Sequence, residues 1–178
     1  MRRSSDRIIT THPGRLPDPP NRDAAQWLSD SIAPELWARR PETSIWVVGR
    51  GAGALALDPR IEVRADVPAL ASFLQRSKIA IAPLRIGTGS PNKVLEAMAS
   101  GAAVVATPAA VASFAFPPGA VETAETTEGL ASAVEQLLGN PSARSALVAR
   151  SSELVQAYSS EAQRERLEAV VTSVAREI

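Results

Sequence analysis

The chain contains no cysteine. Disulfides and thiolate metal sites are therefore excluded. His12 is its only histidine, which rules out a His-rich metal cluster. Aromatic residues are scarce, at 4%, against an apolar fraction of 45%. The core must then be mostly Ala, Val, Leu and Ile. An excess of either charge is also missing. Nineteen basic and nineteen acidic residues cancel, so no overall field draws nucleic acid or an anionic membrane. No run reaches the roughly 18 apolar residues of a membrane span, and membrane association is not indicated. The start, Met1-Arg2-Arg3, is basic, but no apolar stretch follows it. It is not read as a secretory signal, and cytoplasmic residence is the expectation. What remains is 178 residues, enough for a single domain with a sizeable core.

Taken in order, the chain alternates strand and helix signals. Residues 1–7 are polar and expected to fray. A first strand is predicted over 7–11. The segment 12–21 holds four prolines and a glycine and reads as a loop. An amphipathic helix is expected over 21–36, with Ala24, Leu28, Ile32 and Leu36 on one stripe. Asn21 or Asp23 would cap it, and Pro34 should kink or end it. Trp27 and Trp37 read as packing residues. The run SIWVV, 44–48, is a buried strand. Gly49-Arg50-Gly51 follows at its carboxyl end, where ligands bind in open parallel sheets. Arg50 fits a nucleotide neighbour and a plain strand exit equally. A short strand over 61–64 and a helix over 67–76 come next, the helix with Leu70, Phe73 and Leu74 inward. Beyond 108 the reading gives a small helix or loop, a turn at Pro117-Pro118 and an edge strand over 120–122. Helices follow over 126–138, 141–158 and 160–177. The charged stretch 161–166 reads as a solvated face. Such alternation argues for a doubly wound α/β sheet.

One unit organises the rest. The segment 79–108 reads IAIAPLRIGTGSPNKVLEAMASGAAVVATP. Apolar runs at 79–83 and 102–106 suit buried strands, with a loop over 85–89 and a helix over 92–100 between them. Gly87 and Gly89 allow positive φ and close approach of a ligand to the backbone. Ser90 and Pro91 suit the N-cap and first helical position. The free N–H groups of that turn, with the partial positive charge of a helix start, favour phosphate or sugar oxygens. Lys93 adds a full charge, and Glu96, at i+3, adds a carboxylate for hydroxyls. The set suits a sugar nucleotide. A tight turn, a capped helix and a surface Lys–Glu pair fit the same residues.

The run PLRIGTGSPNKVLEAMASGAAVVATPAA resembles the donor-binding half of GT-B glycosyltransferases, in the retaining group often called family 4. It is most similar to a bacterial branch, with Ala103 where proline is usual. The resemblance spans roughly 8–138. It implies a Rossmann-like doubly wound parallel sheet flanked by helices, the carboxyl-terminal half of a GT-B fold. The amino-terminal acceptor half is expected to be absent. By resemblance, Glu96 would hydrogen-bond ribose hydroxyls, and Gly87, Thr88 and Gly89 would offer amides to the sugar or β-phosphate. The first glutamate of the family's pair falls at Thr88, so no catalytic residue is assigned. Arg15, in Gly14-Arg15-Leu16, fits a diphosphate ligand and a solvated loop arginine alike. No lysine follows it, and Lys93 is the candidate substitute. The family's backbone near 65 packs against the base, with Gly where Ala65 stands.

The resemblance implies a nucleoside-diphosphate sugar as donor substrate, no metal and no other cofactor. Hexosyl transfer to an unknown acceptor would then need a separate acceptor-binding domain, or a homodimer. A non-catalytic sugar-nucleotide-binding domain is the alternative. A sugar-nucleotide epimerase, which shares the fold, is a third reading.

Overall fold

The computed structural model describes residues 6–15, 18–86, 92–113 and 116–157. The expected helix at 160–177 and the loop positions Gly87, Thr88, Gly89, Ser90 and Pro91 lie outside the described residues. The elements run β1 (Arg7–Arg15), α1 (Pro19–Trp27), a π-helical segment (Leu28–Ile32), α2 (Ala33–Arg39), β2 (Ser44–Arg50), a 3-10 turn (Ala52–Ala54) and β3 (Glu62–Ala65). There follow α3 (Ala71–Leu74), β4 (Ile79–Ala82), α4 (Asn92–Ala99), β5 (Ala103–Ala106), α5 (Pro108–Val111), β6 (Glu122–Thr123), α6 (Thr127–Gly139) and α7 (Pro141–Ala157). The six strands form one sheet in the order β3-β2-β1-β4-β5-β6. Every neighbouring pair is parallel.

The central parallel strands are covered on both faces, so β2, β4 and β5 read as near-continuous apolar runs rather than alternating. The two-residue period then deals side chains to two cores. Ile8, Ile45, Val47, Ile79, Ile81, Ala103 and Val105 meet Leu28, Ile32, Leu36, Leu130, Val134 and Leu137 on one face. Ile9, Trp46, Val48, Ala80, Ala82, Val104 and Ala106 meet Leu74, Val94, Ala97 and Met98 on the other. Each fully buried Leu or Ile contributes about 1.5–3 kcal/mol over its exposed state.

The chain runs outward from β1 to β2 and β3, then back past β1 to β4 and on to β5 and β6. Right-handed crossovers in opposite directions place the helices on opposite faces. At the switch between β1 and β4 the connections diverge and leave a crevice beyond the strand ends. At the opposite end of these two strands, Asp6 joins Arg40 at 3.0 Å and Lys78 at 2.8 Å.

Several boundaries differ from the sequence expectation. β1 does not stop at Thr11 but runs to Arg15, passing Pro13 through a register shift between His12 and Arg15. The first helix begins at Pro19, not Asn21. It follows Asp18, whose carbonyl accepts from the Asn21 and Arg22 amides at 3.0 Å. Pro34 does not end it. The π turn before it widens the ring, with the Ala33 amide donating to Leu28 O, five residues back. That wider turn leaves room for a pyrrolidine ring that would otherwise clash, and Pro34 sits in the first turn of α2. The helix expected over 67–76 shrinks to the single turn Ala71–Leu74. Pro68 disfavours helical backbone at Val67, although Leu74 is buried as expected and Leu70 and Phe73 pack against the core. β3 and β6 are each displaced by a residue or more from 61–64 and 120–122. Trp27 and Trp37 are packing residues: their indole N–H groups donate to Thr127 Oγ1 (3.0 Å) and Thr43 O (2.9 Å).

Candidate functional site

The crevice is built by the carboxyl ends of β1, β2, β3 and β4 and by the helices that follow them. β2 ends in Gly49 and Arg50, and Arg50 is exposed. Gly51 then turns the chain with φ of 75°, a left-handed value that glycine adopts without steric cost. β1 ends at Arg15, whose backbone is the register partner of Arg50. The two predicted arginines thus stand on adjacent strand ends, although the side chain of Arg15 lies outside the described residues. Thr107, after β5, donates its hydroxyl to Leu84 O and accepts from the Ala110 amide, which ties the ends of β4 and β5 together.

A cavity of about 650 Å³ opens here, lined on one side by Gly49, Arg50 and Asp66 and on the other by α3 and α4. Val67, Pro68, Leu70, Ala71 and Leu74 form its apolar wall, and Glu96 and Ser100 its polar one. The size lies within the range of cofactor and nucleotide pockets. Arg50 and Glu96, predicted separately, therefore share one cavity. Partial burial raises the Glu96 carboxyl above its ordinary value.

Lys93 lies one turn earlier on α4. Its Nζ donates to Asn21 Oδ1 at 3.1 Å, so the first turns of α1 and α4 meet at the β1–β4 switch. Burial lowers its pKa from 10.5 to about 8, with no charged partner offsetting the loss of water. Among the described residues no carboxylate lies within ion-pair distance of it. The surface Lys–Glu pair that also fitted the sequence does not form: Lys93 is half-buried on Asn21, and Glu96 faces the cavity.

The sequence reading missed three features. Asn21 serves as the partner of Lys93 rather than as a cap. Arg85 is paired with Asp23, its Nε donating to Oδ2 at 3.0 Å, and lies over the Trp27 ring at 5.0 Å. The sharp turn after β3 is made by Asp66, with φ of 52°. The readable signal was an aspartate between a strand and a Val-Pro pair, since Asp tolerates left-handed backbone. Among the described residues, no three His, Asp or Glu side chains gather closely enough to hold a metal ion. No helix among them is long and apolar enough to cross a membrane.

Comparison with known proteins bears on this geometry. The profile of the family described as "Glycosyl transferases group 1" matches residues 7–140. Among solved structures, the chain is similar to Anabaena Alr3699/HepE in complex with UDP. The TM-score is 0.69 at 12% identity, over 95% of this chain and 49% of that one. It is similar to a sucrose-phosphate synthase from Thermosynechococcus elongatus, with a TM-score of 0.72 at 18% identity, over 97% of this chain and 46% of that one. It also matches the C-terminal CMP-Kdo binding domain of WaaA from Acinetobacter baumannii, with a TM-score of 0.58 at 18% identity, over 85% of this chain and 90% of that domain. Such likenesses at low identity show the fold, a Rossmann-like sheet of the GT-B type. The chain spans about half the length of the first two proteins. No curated protein matches significantly. With the family profile covering β1 through α6, this chain belongs to the group 1 glycosyl transferases.

Proposed function

We propose that this chain binds a nucleoside-diphosphate sugar in the crevice beyond β1–β4 and forms the donor-binding half of a glycosyltransferase. The observation that carries the reading is Lys93. A desolvated ammonium whose described partner is a neutral amide is costly unless an anion joins it. It sits in the first turn of α4, where the helix dipole favours the same anion. The diphosphate takes this place, with Arg15 and Arg50 at the neighbouring strand ends. Glu96, as a carboxylate, accepts from the two ribose hydroxyls. One solved neighbour, Anabaena Alr3699/HepE, in complex with UDP and with UDP-glucose, supports this choice of ligand class.

In the transfer, the bond from the sugar's anomeric carbon to the diphosphate oxygen breaks and that oxygen keeps the electron pair. A bond to the acceptor oxygen forms, and the acceptor loses its proton. Charge accumulates on the leaving diphosphate, where Lys93 and the helix start stabilise it without a metal. The acceptor is supplied by a second half, from another chain or a partner domain. A non-catalytic binding domain is the second reading, favoured by the threonine at position 88 in place of the family's first glutamate.

Thermal unfolding with a panel of nucleoside diphosphates and their sugars tests the site. Saturation at 100 times the dissociation constant adds about 2.7 kcal/mol of stability. An upward shift that disappears in Lys93→Met is the expected result. No shift with any nucleotide, in a cooperatively folding sample, would overturn the assignment.

A further inference from the structure

Asp66 is the one non-glycine residue with positive φ among the described residues. It stands where β3 leaves the sheet and forms part of the cavity wall. Its amide donates to Gly49 O at 3.4 Å, and its Oδ1 accepts from the Gly51 amide at 3.4 Å. The first fixes the backbone of the turn, and the second, long and weak, uses little of the carboxylate's acceptor capacity. Asp66 is exposed toward the cavity side and forms no ion pair among the described residues. Arg50 lines the same wall without neutralising it. The apolar wall of Val67, Pro68, Leu70 and Leu74 offers a surface for a flat ring, and Asp66 and Glu96 belong to the same lining. A base stacked on that wall with its ribose toward Glu96 would meet Asp66 along its hydrogen-bonding edge.

An ionised carboxylate only accepts hydrogen bonds. Guanine presents N1–H and the N2 amino group side by side, two donors that match the two carboxylate oxygens. Uracil presents one N3–H flanked by two carbonyl oxygens. Adenine and cytosine each set an amino group beside a ring nitrogen lone pair. With these three bases, at least one lone pair faces the carboxylate. We propose that Asp66 selects guanine, so that the donor is a guanosine-diphosphate sugar. This rests on the reading of the cavity as a nucleoside-diphosphate site.

The test is calorimetric titration of the full chain with GDP, UDP, ADP and CDP. The wild type is expected to bind GDP at least about 10-fold more tightly than the others. Asp66→Asn, which keeps the left-handed turn, should bring GDP down to the level of UDP and leave UDP within about 2-fold of its wild-type affinity. Asp66→Gly fits the same backbone and should repeat that loss without introducing an amide, and thermal melts of both variants check folding. Equal binding of all four diphosphates by the wild type overturns the selection of guanine and leaves the nucleotide site standing. An equal loss of GDP and UDP in both variants does the same. No binding of any diphosphate overturns the nucleotide site and the base selection with it.

Discussion

Lys93 keeps its charge at neutral pH against the cost of burial, and that cost has a measurable sign. Its folded-state pKa, about 8, lies below the 10.5 of a free lysine. Between these values the unfolded chain holds more protons than the folded one. Stability therefore rises as pH increases from about 8 to about 10.5, and the full cost of the buried charge is present below about 8. Denaturant unfolding of the wild type and Lys93→Met at about pH 7.5 and about pH 9.5 checks this. The wild type should gain on the variant at the higher pH, and parallel values would remove the burial argument. A bound diphosphate reverses the linkage. It restores the ammonium, so binding near pH 8 takes up a proton and affinity falls as pH climbs above that value. Titrations in two buffers of different ionisation heat measure the uptake. By contrast, Arg85 is committed to Asp23, so the family-like stretch around it supplies a structural ion pair as well as a site.

At the scale of the element, the turn after α4 separates backbone from packing effects. Gly101 has φ of 79°, and a Cβ placed there would meet nothing within 4 Å. Gly101→Ala should cost about 1 kcal/mol, through left-handed strain alone. Leu130, fully buried on α6, contributes by packing, and Leu130→Ala should cost about 2–5 kcal/mol. Chemical denaturation reads both, and neither variant should alter nucleotide affinity relative to the folded fraction. The same scale explains where the sequence reading strayed. Of the stripe Ala24, Leu28, Ile32 and Leu36, all four are buried, the last three in one core cluster and Ala24 in the other. The π turn was not legible: Pro34 signals that the helix must adapt, but not that Leu28 O would accept from Ala33 rather than from a nearer amide. That choice is made by the sheet beneath Leu28 and Ile32, and by Ser29, whose Oγ accepts from the Asp58 amide at 2.8 Å.

For the whole molecule, the chain spans about half the length of two of the solved structures it resembles. Ile86, just beyond β4, is a large hydrophobic residue that is 63% exposed. It lies on the side of the sheet where the proposed donor binds. On the proposed reading, in which a second half supplies the acceptor, the chain assayed by itself is expected to bind the nucleotide sugar and leave it intact. Chromatography of the nucleotide pool after prolonged incubation is the check. Release of nucleoside diphosphate by the chain alone would show that it completes its own active centre, for instance as a homodimer.

The sequence by itself determined the class of fold and named the candidate residues of the site. Apolar runs such as IAIA and AVVA, separated by a helix-length connection, admit little besides parallel strands joined by a crossover. The Asn92-Lys93 helix start marks where an anion would be welcome. The tertiary structure decided which charges are free and which are spent. Lys93 finds a neutral amide 72 positions away, Arg85 finds a carboxylate 62 positions away, and Arg15 and Arg50 become register partners. It also decided that Asp66, not a residue of the strand before it, turns the chain at the cavity wall. Local propensity reaches only a few residues along the chain. Desolvation, ion pairing and the sharing of one cavity depend on neighbours that only the folded sheet brings together.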